Sequence, residues 1–144
     1  MLLRLLAYFF PSFARNLPPE VPMFRSGDIE FGFYYKLGPD GRTPVPCTSK
    51  QASEWFETAD AERIVRKTDI GEHRVSTVFT STVYDFDEHG PFLFEAMVLE
   101  GPFYGSLSRT RTWEESEIMH EEFCAHLRDD TFEEWARNNP RVKT

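Results

Sequence analysis

The sequence predicts an α+β fold: a mainly antiparallel sheet of about five strands with two or three helices packed on one face. Strand patterning dominates up to Arg111, and helical patterning follows it. The links between strand runs are too short for the crossover that parallel strands require. Two Thr-x-x-Gln/Glu boxes mark helix starts.

Along the chain, residues 1–26 read as an N-terminal apolar segment with a Pro-rich arm, 27–138 as a single α+β domain and 139–144 as a C-terminal tail. Residues 1–10, MLLRLLAYFF, carry only Arg4 as a charge and are too short to span a bilayer. They are expected to dock on the core as a helix or strand; an extension ahead of a start at Met23 and a membrane-surface anchor are the alternatives. Residues 29–37 alternate bulky aromatics and end at the turn Gly38-Pro39-Asp40-Gly41, so a strand should return through residues 43–46. Thr48 and Gln51 form the first capping box, opening a short helix to about Ala59 with Ala52, Trp55 and Phe56 inward.

Residues 63–68 and 73–84 are β-branched runs around Asp69-Ile70-Gly71-Glu72, the pattern of an antiparallel hairpin. A polar break at residues 85–91 precedes residues 92–99, FLFEAMVL, apolar on both faces except for Glu95, as a central strand would be. Residues 104–111 should form a further strand. Thr112 and Glu115 form the second capping box of a helix to about Arg128, whose apolar stripe is Trp113, Ser116, His120, Phe123, Cys124 and Leu127. A third, short helix starts near Thr131 and stops at Asn138-Asn139-Pro140.

With 144 residues there is material for one sizeable core, and 14 phenylalanines make that core aromatic. The net charge of −8 argues against wrapping a phosphate backbone, which needs clustered Lys and Arg, so nucleic acid is disfavoured as a partner, as is a membrane. Acid gathers late, in Glu114, Glu115, Glu117, Glu121, Glu122, Asp129, Asp130, Glu133 and Glu134, as a solvated helix face, a mimic of nucleic acid or a docking surface for a basic partner. Cys47 and Cys124 fit no disulfide framework and no zinc knuckle; they read as free thiols in a reducing compartment.

No motif of known catalytic mechanics is present, and no metal site or cofactor is expected. The weak catalytic candidates are Glu95 and His120, polar residues that periodicity sets among apolar neighbours. Each has a plainer reading, Glu95 as the partner of a basic or backbone group and His120 as a satisfied core histidine. If the sheet and the second helix brought them into contact, the carboxylate would raise the imidazole pKa. Asp85, Asp87, Glu88 and His89 are weak binding candidates, several oxygens in one loop that otherwise reads as a solvated turn. Arg109 and Arg111 flank the acidic helix and are expected to solvate it or pair with it.

With these residues placed, the chain resembles a family of small uncharacterised proteins encoded by bacteriophages and prophages. The similarity lies in Val45-Pro46, the EWFETAD run from Glu54, Arg63-Ile64-Val65, the VSTVF run from Val75, GPFLFEAMVLEGP from Gly90 and TWEESEIMH from Thr112, together spanning residues 31–127. The resemblance implies a phage origin, a setting in the host cytoplasm and no named activity. Where relatives carry an Asp-His pair after the STVF stretch, this chain has Val83 and Tyr84, so any role of that pair is lost or moved to Asp85, Asp87 or His89; Glu57, Arg63, Glu95 and His120 are retained. Two functions are therefore expected. One is an accessory protein that acts by protein–protein interaction on a host or phage protein, preferably basic, or on a second copy of itself. The alternative is a small enzyme or ligand- or metal-binding domain using Glu95, His120 and the loop at Asp85, Asp87, Glu88 and His89.

Overall fold

A computed structural model describes residues 33–144, which divide into two packing units: residues 33–60 with 81–92, and residues 61–80 with 93–144. The expectations for residues 1–26, and for the first part of the strand at residues 29–37, lie outside the described residues.

In the first unit, β1 (Tyr34–Leu37) and β2 (Pro44–Cys47) pair antiparallel, Tyr34 opposite Cys47 and Leu37 opposite Pro44. The turn between them is closed by the Asp40 carboxylate, which accepts from the backbone N–H groups of Arg42 and Thr43 at 2.9 Å each. The Thr43 hydroxyl, with these backbone bonds, holds the Asp40 carboxyl down at about 2. Helix α1 (Ser49–Thr58) starts where the first box places it: Gln51 N–H donates to Thr48 Oγ1, and Thr48 N–H donates to the Gln51 side chain. Ala52 is its buried residue, whereas Phe56, expected inward, is 38% exposed.

Residues 80–84 do not continue the long strand expected from residue 73. Ser81 adopts a left-handed φ of 63°, and its hydroxyl donates to the Tyr35 carbonyl at 2.6 Å, so this stretch lies against β1. The β-branched sequence carries strand propensity, but here a side-chain bond to a residue 46 positions away accompanies the chain's departure from the ladder. The expected polar break becomes a small ribbon, β5 (Asp85–Asp87) paired with β6 (Gly90–Phe92).

The second unit is a five-stranded antiparallel sheet with two helices on one face. β3 (Ile64–Ile70) and β4 (His73–Phe79) form the expected hairpin around Gly71 and Glu72, with Gly71 at φ 57°, a left-handed angle that the tight turn needs and glycine supplies. β7 (Phe94–Glu100) pairs with β4 and with β8 (Leu107–Thr110). β9 (Val142–Lys143) completes the sheet from within residues 139–144, which the sequence presents as a tail. Two residues are too few to carry a period, yet Val142 pairs with Ser108 and reaches the core.

Helix α2 (Trp113–Arg128) begins at the second capping box and lies across the sheet; α3 (Phe132–Asn138) follows. Strand side chains alternate, so Val75, Ala96 and Val98 turn toward α2 and meet Met119, Phe123 and Leu127, closed by Phe132 and Ala136 of α3. Phe94 packs tilted on Phe79 and edge-on to Trp113. Among the described residues, no helix is long and apolar enough to cross a membrane.

Candidate functional site

The same alternation decides where the candidate residues go. Phe94, Ala96 and Val98 face α2, so Glu95 between them points to the opposite face of the sheet. There it lies across the ladder from Arg109, whose Nε donates to Glu95 Oε2 at 2.9 Å, with 17% and 22% of the two side chains exposed. Arg109 therefore pairs across the sheet.

His120 sits under α2 with no exposed surface. Its Nδ1 lies 2.8 Å from the Thr77 hydroxyl of β4, and its Nε2 lies 2.8 Å from the Thr68 hydroxyl of β3. A neutral imidazole satisfies this arrangement, donating through one nitrogen and accepting through the other. Burial pulls its pKa down to about 4, against a smaller opposing influence from the Glu121 carboxylate. Burial likewise pushes up the thiol of Cys124, one turn along the same helix, although a hydrogen bond with Thr68 works the other way.

Glu95 and His120 are thus separated by the sheet, and each is satisfied locally. The contact expected from a layered packing does not form, and the imidazole pKa moves down where a carboxylate partner would have moved it up. Thr68 and Thr77, which hold His120, are legible in the sequence only as members of β-branched strand runs. Their signal is the period of two that sets Thr77 between Val75 and Phe79 on the inward face.

Asp85, Asp87, Glu88 and His89 belong to the other packing unit. Asp85 Oδ1 accepts from the neighbouring Phe86 N–H at 2.9 Å within β5, and Asp87 Oδ1 accepts from the His89 N–H at 2.8 Å, so Asp87 closes the turn between β5 and β6. Glu88 and His89 approach one another at 3.4 Å on the surface. Among the described residues, no group of three His, Cys, Asp or Glu side chains is placed to hold a metal ion.

The remaining candidate is the solvent face of α2. Glu115 is used by the capping box, Glu121 pairs with Arg66, and Glu122 pairs with Arg141 at 3.3 Å. Glu114 and Glu117 have no ion-pair partner among the described residues. Between them and Glu121 lies Ile118, 62% exposed on a helix whose opposite face is fully committed to the core. Ile118 falls outside the apolar stripe read from the sequence, and that mismatch is the signal that finds it. No family model, curated protein or solved structure matches this chain.

Proposed function

We propose that this chain is a phage-type accessory protein that acts in the host cytoplasm by binding a basic protein through the solvent face of α2. The exposed Ile118, ringed by Glu114, Glu117, Glu121 and Glu122, carries this reading. An apolar side chain inside a charged rim is the arrangement of a small contact. Desolvation at the centre supplies affinity, and Glu114 and Glu117, which have no ion-pair partner among the described residues, steer a cationic partner. The net charge of −8 adds long-range attraction of the same sign. The separation of Glu95 from His120 by the sheet further supports a binding role over acid–base chemistry, which needs its groups within reach of one substrate.

The experiment is capture from a bacterial lysate with the immobilised wild-type protein, with Ile118→Lys and with Glu114→Lys/Glu117→Lys. A partner retained by the wild type, lost on both variants and weakened by salt is the expected result. Retention of the same proteins by all three, or of none by any, removes the proposal.

A further inference from the structure

The five-stranded sheet has two unequal edges. At one, β9 offers two residues; at the other, β3 runs for seven, and among the described residues no backbone hydrogen bond reaches its outer side beyond Ile64. An open edge is a template for another strand unless something blunts it.

β3 is limited at both ends. A bulge shifts its register between Ile64 and Arg66, and the tight turn begins at Gly71. Its regular edge is therefore residues 66–70, with Thr68 at the centre. In a hairpin with a two-residue turn, the flanking residues exchange both backbone hydrogen bonds. Ile70, Thr68 and Arg66 thus direct their N–H and C=O groups to β4, opposite His73, Val75 and Thr77, while Asp69 and Lys67 direct theirs outward.

We propose that a second copy of this chain pairs antiparallel with β3, Thr68 opposite Thr68 on a two-fold axis, and joins two five-stranded sheets into one. Three independent features select this register. It overlaps the whole regular edge, since residues 66–70 are symmetric about Thr68. It sets Lys67 opposite Asp69, so the two residues with outward backbone groups exchange hydrogen bonds in both directions. It also places a cation against a carboxylate twice, whereas moving the centre to Lys67 or Asp69 opposes like charges. Both side chains are exposed, and Lys67 has no ion pair among the described residues. Asp69 takes the Arg74 guanidinium on the β4 side at 2.7 Å, and a carboxylate has lone pairs to accept a second cation. The α2 surface lies on the helix side of the sheet and meets this edge through the Arg66–Glu121 pair.

A five-residue edge buries little area, so the association is weak and reversible. Sedimentation of the wild type up to about 1 mM should give a mass rising toward a dimer. Lys67→Glu, or Asp69→Lys alone, sets like charges opposite each other twice and should weaken the dimer at least about tenfold, while Lys67→Glu/Asp69→Lys together should restore it. Amide exchange gives a second measurement. The Lys67 and Asp69 amides should slow as concentration rises, while that of Thr68, already bonded within the hairpin, should not change. A monomer throughout, a dimer indifferent to the single substitutions, or a double variant as weak as the singles overturns the proposal. So does protection of Lys67 and Asp69 that arises only when another protein's strand is added.

Discussion

On one face of the central strand β7, Glu95 meets Arg109 as a partly exposed ion pair; on the other, the sheet receives His120 as a neutral ring between two threonine hydroxyls. The difference follows from water. Where solvent still reaches, the carboxylate and guanidinium pair across the ladder, at little net gain or cost. Where solvent is excluded, desolvating an imidazolium costs more than two hydroxyls return, so the ring stays neutral. Two polar residues in similar apolar sequence settings therefore end on opposite faces of one sheet, each with partners of a different kind.

The inward face should dominate stability. Phe94, fully buried between Phe79 and Trp113, is its anchor on β7, and Phe94→Ala should cost roughly 3 to 5 kcal/mol by chemical denaturation. A loss below about 1 kcal/mol would mean that this face is not the core.

The buried ring should make stability depend on pH with a definite sign. His120 titrates near its ordinary value of 6.5 when unfolded and at about 4 when folded, so the unfolded chain takes up the proton first. The contribution is complete above 6.5 and is lost as pH falls toward 4, by up to about 3 kcal/mol. His120→Gln, which cannot titrate, should flatten the wild-type slope within that window. An equal slope in both proteins would show that other groups produce it.

The smallest effect sharpens the comparison most. Because the sheet separates Glu95 from His120, Glu95→Gln and His120→Gln should add to within about 0.5 kcal/mol in a double-mutant cycle. A larger coupling would mean that the two faces communicate through β7.

The sequence carried some of this with little ambiguity. Thr48 with Gln51 and Thr112 with Glu115 place two helix starts because capping is local chemistry, complete within four residues. Gly71 marks the β3–β4 turn for the same reason. What it left open depends on tertiary context. Residues 92–99 are apolar on both sides, so alternation puts Glu95 with Met97 and Leu99 without saying which face the helix covers. Ser81 leaves the strand through a bond to Tyr35, far away in sequence. The partners of His120 come from β3 and β4, at 52 and 43 residues' distance, where no spacing rule reaches.

The two cysteines make a further property of the molecule accessible. Cys47 lies in the first packing unit and Cys124 in the second, both free, both essentially without solvent contact and both with the thiol pushed up by burial. Neither presents a thiolate to a reagent while its surroundings stay closed. Each is therefore a native clock. The rate at which an alkylating agent consumes Cys124 counts the moments when α2 lifts from its sheet, and the rate at Cys47 counts the openings of the other unit. One labelling time course, read site by site, resolves the unit that breathes first.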